Sequence, residues 1–451
     1  MQKGGPLWAA LFLCGKAVSI PGKREMDMRK RLFALALALA PALVPLSVAA
    51  RPAASSERLT IDSARIDAAL TAMVADGRAA GASALVWQDG HEVYFGAAGM
   101  ADRAAGKPMR RDTIAQIYSM TKPITGVALM QLWEAGKFRL DDPLADYLPE
   151  YAGMRVDAGR DAAGGPRTVP ARRPITIRDI MRHTAGFAYG AGPTPANDAF
   201  VAADPLALTN NLSEASRRIG GLPLLFQPGT QWSYSAAVDV QAALVERLSG
   251  ERFADYVRAH ILEPLQMADT AWRQPDAKLP RFAAMYEKKD GKLVQQDAAT
   301  AQRLNFRDNA LTGGGFGLAS TLDDYQRFAR MLLGGGALGG VRILRPSTVR
   351  LMATDQLDPA VTERSWLPGK GAVGFGLDVA VRKAPPRTAE ENRGAVGEFF
   401  WDGAATTLFW VDPANRLTAV FFVQTMPFDG TLHRDIRAAV YGADYRGQAG
   451  D

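Results

Sequence analysis

The chain has 451 residues, 47% hydrophobic and 22% charged, a globular balance with enough length for two or three domain-sized units. Its net charge of +6 is concentrated at the start: residues 1–50 hold seven Lys/Arg and two Asp/Glu, which leaves the remainder at +1. A near-neutral body excludes a general electrostatic affinity for nucleic acid or anionic lipid, and a single cysteine, Cys14, excludes a disulfide framework or a thiolate metal site.

The first readable segment is "MDMRKRLFALALALAPALVPLSVAARPAASS", with Arg29, Lys30 and Arg31 ahead of an apolar run over residues 32–46 and small residues at 47–50. This is the pattern of a secretion signal cleaved near Ala49 or Ala50. The run is too short and Pro-broken to span a bilayer, so an exported protein, periplasmic or secreted, with no stable membrane anchor after cleavage is expected. Residues 1–25 fit the signal poorly, which places the expected translation start at Met26 or Met28. Cys14 would then be lost with the leader.

"IDSARIDAALTAMVADG" (residues 61–77) has helical spacing, with Asp62 or Ser63 as N-cap. Two β-rich runs follow, joined through Gln88-Asp89-Gly90, a hairpin signal. The middle of the chain reads as helical in "PITIRDIMRHTAG", "SAAVDVQAALVERLSG", "RFADYVRAHILEPL" and "TLDDYQRFARMLLGG". Residues 159–174 read as an exposed loop, and Lys/Arg in 167–173 as solvated. Strands return in "GFGLDVAVR", "GEFFWDGAATTLFWVDP" and "LTAVFFVQT", and a helix over residues 433–441 closes the chain. These elements predict an α+β fold: an antiparallel sheet built from both chain ends, flanked by helices, plus an all-helical part. The expected division is a leader at 1–50, sheet-domain segments at 51–115 and 331–451, and a mainly helical domain at 116–330. A cleft between the two parts is the expected substrate site.

"IAQIYSMTKPITG" (residues 114–126) places Ser119 and Lys122 three apart, on one face at the start of an apolar helix. Free N–H groups at a helix start favour a developing anion. A serine hydroxyl needs a base to act as nucleophile, and a lysine serves only when burial or a neighbouring cation lowers its pKa. From the tetrapeptide alone, an N-capping serine with a solvated lysine is the commoner arrangement.

Further segments bear on the choice: "IMRHTAGF", "FQPGTQWSYSAA" with Tyr234, "LTGGGFGLASTLDDYQRFA", and the Trp401-Asp402-Gly403 interruption of a β-run. With these, residues 65–440 resemble the serine β-lactamase and penicillin-binding-protein superfamily, nearest its class C-like branch with the family VIII carboxylesterases. The resemblance implies a β-lactamase/transpeptidase-like fold and no cofactor. It implies Ser119 as acylated nucleophile, Lys122 as its base partner and Tyr234 as proton relay, with the Lys122/Tyr234 protonation states left open. It implies an oxyanion hole from the Ser119 and Ala404 N–H groups, and substrate contacts from Trp401, Asp402 and Gly403.

Two departures matter. Trp401-Asp402-Gly403 stands where the family carries K-T-G, so the strand cation that engages a substrate carboxylate is missing. Tyr234-Ser235-Ala236 lacks the asparagine that would grip an amide. Both point from β-lactams toward an uncharged small-molecule ester, hence a serine carboxylesterase acting on short-chain or aryl esters. The alternatives are a β-lactamase, D-amino-acid peptidase or acyltransferase of the same superfamily, and a non-catalytic penicillin-binding-like protein. No G-x-S-x-G occurs, so an α/β-hydrolase elbow is not a competing source of esterase activity. With four histidines and no H-E-x-x-H, no metal site is expected. His183 is expected to be structural, Gly313 to Gly317 a tight turn near the cleft, and Asp402 a surface or strand-edge carboxylate. Trp232, Phe400 and Trp401 are expected either to line an acyl pocket or to fill core.

Overall fold

A helix, α1 (Ser63–Ala75), opens the fold with the Asp62 side chain accepting from the Arg65 N–H, the cap its sequence predicts. The computed structural model describes residues 59–388, 390–445 and 447. The expected leader, its cleavage site and Cys14 lie outside the described residues. Strands β1 (Gly81–Gln88) and β2 (His91–Asp102) follow, with Asp89 and Gly90 both at positive φ (55° and 85°) in the two-residue turn. A short β3 (Lys107–Pro108) ends this amino-terminal contribution.

The rest of the sheet comes from the far end of the chain: β4 (Val373–Phe375), β5 (Ala380–Arg382), β6 (Phe399–Asp402), β7 (Leu408–Asp412) and β8 (Leu417–Phe422). The eight strands run in the order β4-β5-β6-β7-β8-β1-β2-β3, with β1 and β8 antiparallel at Leu85 and Val420. "GFGLDVAVR", read as one strand, is two, reversed through residues 376–379. β5 pairs with β6 only at Phe399 and Phe400, which leaves Trp401 and Asp402 on an open edge.

Alternation along β7 shows how the sheet is covered. Phe409 meets Tyr325 on one face, ring centroids 5.0 Å apart. Its neighbour Trp410 donates from its indole N–H to the Tyr441 hydroxyl, 3.1 Å away, on the other. Tyr325 belongs to an amphipathic helix over Leu322–Leu333, and Tyr441 to the carboxy-terminal helix over Gly430–Tyr441, which packs beside α1. The Leu322–Leu333 helix, expected mostly within the helical segment 116–330, therefore lies on the sheet.

The helical part centres on α2 (Thr121–Glu134), buried at every position except Gln131, Trp133 and Glu134. A helix apolar all round belongs in the middle of a core. It packs against α3 (Ala237–Ser249). The Leu322–Leu333 helix is α4, and the Gly430–Tyr441 helix is α5.

One reading of local structure is corrected and another refined. Residues 159–174 form much of an exposed antiparallel hairpin, Arg155–Arg160 with Pro166–Pro170, and beyond it Arg173 pairs with the buried Asp179 carboxylate at 2.5 Å. "RFADYVRAHILEPL" is helical as expected over Phe253–Leu262, α-helical to Val257 and widening to a π-helix over Arg258–Leu262.

Candidate active site

The segment that carries Ser119 is fixed before α2 begins. Ala115-Gln116 pairs with Ala319-Ser320, and the Ile117 N–H donates to Leu318 O at 3.0 Å. Tyr118 then adopts φ of 43°, a left-handed conformation rare for a non-glycine residue and tolerated where surrounding contacts enforce it. One 3-10 turn, Tyr118–Met120, leads into α2 with Ser119 in it and Pro123 where a first-turn N–H has no helical partner to lose.

Lys122 is buried one turn on. Its ammonium nitrogen lies 3.3 Å from Ser119 Oγ and donates to the Gly315 carbonyl at 2.7 Å. Burial lowers its pKa from 10.5 to about 8, against the opposing pull of Asp239, Asp378 and Asp402. Gly315 is glycine for a physical reason: a Cβ there would lie 2.9 Å from Asp239 Oδ2 and 3.1 Å from Lys122 Nζ. The glycine-rich stretch is thus a turn at the site, held by Asp239 of α3 through the Gly315 N–H at 3.0 Å.

Tyr234, just before α3, reaches the same point. Its phenol interacts with the Ser119 hydroxyl and the Trp401 indole, and burial holds its pKa far above that of a free tyrosine. Lys122 Nζ stands 4.5 Å from its ring centroid. The ring is wedged among His183, Trp366 and Trp401 at centroid distances of 4.8, 5.4 and 5.5 Å. The expected trio of Ser119, Lys122 and Tyr234 is therefore brought together from two segments of the chain.

The turn after β6 faces them. Gly403 has no room for a side chain: a Cβ would sit 2.3 Å from both the Ile117 carbonyl and Thr407 Oγ1. Its glycine lets the β6–β7 turn approach the backbone leading to Ser119, rather than the substrate, and Ala404 follows it into the cleft that holds the serine. Ser119, Tyr234, Gly403 and Ala404 line one cleft of about 520 Å³, with Tyr189, Trp366, Lys370 and Phe400.

Strand alternation decides the fate of the Trp401-Asp402 pair. Phe400 and Asp402 face the cleft, whereas Trp401, only 1% exposed, lies behind Tyr234 and outside the lining. The expectation of Trp401 as a substrate contact is corrected accordingly, and Trp232 is likewise core. Asp402 is no surface carboxylate: it is buried and ion-paired with Lys370. Lys370, from the 3-10 turn Leu367–Lys370, restores a cation near the position where the strand lacks one.

His183 is structural, as expected. Its ring contacts Ser235 Oγ at 3.2 Å through Nδ1, and the Ser233 N–H donates to its carbonyl at 3.0 Å, which fixes the Tyr234 segment. Burial pushes its pKa well below the usual 6.5. Residues missed at sequence level are Tyr189, Asp239, Trp366, Lys370, Asp378 and His433. Only the glycine-rich segment hinted at the Lys122 environment. Among the described residues no cluster of His, Cys, Asp or Glu has a metal-holding arrangement, and no helix is long and apolar enough to cross a membrane.

A buried serine, a pKa-lowered lysine and a tyrosine at the lip of an α+β cleft define a serine hydrolase of the β-lactamase kind. The chain belongs to the Beta-lactamase family, whose model matches residues 66–443. It is 31% identical to Esterase EstB of Burkholderia gladioli over 84% of this chain and 95% of that one. The structure of EstCE1, a hydrolase with promiscuous acyltransferase activity, aligns with a TM-score of 0.68 at 26% identity over 84% of this chain and 98% of that one. Simvastatin synthase LovD from Aspergillus terreus shares the fold, with a TM-score of 0.71 at 24% identity over 85% and 98% of the two chains.

Proposed function

We propose that the protein is a carboxylesterase that hydrolyses short-chain or aryl esters through an acyl-enzyme on Ser119. The observation that carries this reading is the position of Ser119 Oγ, between a lysine whose pKa is lowered to about 8 and a phenol whose pKa is raised. At pH 7 about a tenth of Lys122 is then free amine, while Tyr234 keeps its proton. The amine takes the Ser119 proton as Oγ adds to the ester carbonyl, and the Ser119 and Ala404 N–H groups receive the oxyanion. Tyr234 passes its proton to the leaving alkoxide and takes back the one held by the neighbouring Lys122 ammonium, which restores the free amine, and water admitted to the cleft releases the acid by the reverse path.

The esterase and acyltransferase relatives support ester chemistry over lactam chemistry. The Lys370–Asp402 pair supports it too, since the cation beside β6 is bound to Asp402 rather than free to engage a substrate carboxylate. Export to the periplasm or medium remains part of the proposal, supported by the leader's composition alone.

The test is turnover of p-nitrophenyl acetate and butyrate against nitrocefin across pH 6–10. The expected kcat/KM is larger for the esters and rises with pH to a plateau above about 8, as Lys122 loses its proton. No limb falls near 6.5, because burial keeps His183 neutral and lowers His433 to about 4. Faster nitrocefin turnover, or a rate that falls between pH 7 and 9 with intact protein, contradicts this assignment.

A further inference from the structure

We propose that Lys370 is a positioning residue of the acyl-transfer site: by neutralising Asp402 it keeps an uncompensated carboxylate away from the Ala404 N–H and from Lys122. The proposal rests on the esterase reading above. Asp402 lies two residues before the expected oxyanion donor and faces the same cleft as Ser119. An unpaired carboxylate there would repel an oxyanion forming at Ala404 and hold the proton on Lys122, the two things acylation cannot tolerate.

The structure gives Lys370 little freedom to do anything else. Its ammonium is bound to Asp402, both side chains about a tenth exposed. It is boxed by Trp366, Trp401 and Phe428, whose ring centroids lie 4.8, 5.2 and 5.1 Å from Nζ. Aromatic faces attract a cation and shed water from it, which holds the pair in one geometry. The box shares Trp366 and Trp401 with Tyr234, so the pair and the phenol are set by the same two rings.

Among the described residues no other group takes over this compensation. His433 Nδ1 lies 3.9 Å from Asp402, but burial keeps the ring neutral above about pH 4. Arg437 of α5 is bound to Glu398, and Arg434, also in the cleft lining, pairs with Asp435 and acts on Glu390. The remaining charges that face Lys122 are the carboxyl groups of Asp239 and Asp378, both of which act to retain its proton.

The experiment is the pH profile of p-nitrophenyl butyrate hydrolysis by wild type, Lys370→Met, Lys370→Arg and the Lys370→Met/Asp402→Asn double variant. Lys370→Met is expected to move the rising limb up by about one pH unit and cut kcat/KM at pH 7 about tenfold, with recovery toward pH 9. The double variant returns the limb to its wild-type position, and Lys370→Arg leaves it there. A Lys370→Met profile superimposable on wild type overturns the proposal. So does a loss that is uniform across pH and unrepaired by Asp402→Asn, which is the mark of a merely structural residue. Failure of the esterase reading looks different: Ser119→Ala then hydrolyses the ester as fast as wild type.

Discussion

Replacing Lys122 with methionine is expected to lower kcat on p-nitrophenyl butyrate about 10³-fold, within the range for loss of the proposed general base. Methionine matches the lysine stem in length, so packing between α2 and the Gly315 turn is kept while the ammonium is removed. The rising limb of the pH profile near 8 disappears along with the rate. Stability responds with a definite sign. The folded-state pKa of about 8 lies below the unfolded value of 10.5, so the unfolded chain binds more protons between those limits. Lys122 therefore penalises the fold below pH 8, and the penalty fades as pH rises toward 10.5. Denaturant melts should show the wild type gaining stability relative to Lys122→Met across that window. A variant with wild-type kcat and an unmoved limb would remove Lys122 from the chemistry.

Tyr234→Phe is expected to lower kcat about 10²- to 10³-fold with little change in KM, because it deletes one hydroxyl and leaves the ring among His183, Trp366 and Trp401. In the proposed mechanism the deletion removes a proton donor to the leaving alkoxide. The loss should therefore shrink for p-nitrophenyl esters relative to alkyl esters, whose leaving groups need protonation more. Steady-state kinetics on matched aryl and alkyl butyrates checks this. Equal losses on both would assign the phenol to orienting Ser119 alone.

How much of this was legible in the sequence differs from element to element. The sheet was readable because its strands are long runs of buried β-branched and aromatic residues, "LTAVFFVQT" above all, and the hairpin at Asp89-Gly90 because positive φ selects those residues. Ser119 and Lys122 were readable as an i, i+3 pair on an apolar helix. Tyr234 was not recoverable from spacing, since 112 positions separate it from Lys122, and it came only through family resemblance. The hairpin at Arg155–Pro170 was misread as a loop because both its faces are largely wet and carry no alternation for the eye to find. Asp402 and Trp401 could have been separated by period-two reasoning, since neighbours on a strand cannot share a face. The Lys370–Asp402 pair could not have been foreseen: Lys370 lies in an irregular 3-10 turn, and its partner is 32 residues on and across the cleft edge. The strained Tyr118 backbone is likewise a tertiary property, imposed by the contacts on either side of it.

Intact-mass spectrometry after brief mixing with p-nitrophenyl butyrate, quenched in acid, tests the central claim most directly. The account predicts one added butyryl group on the wild type, mapped by peptide digestion to residues 114–126 at Ser119, and none on Ser119→Ala. An acyl group on another residue, or equal labelling of the two proteins, would contradict it.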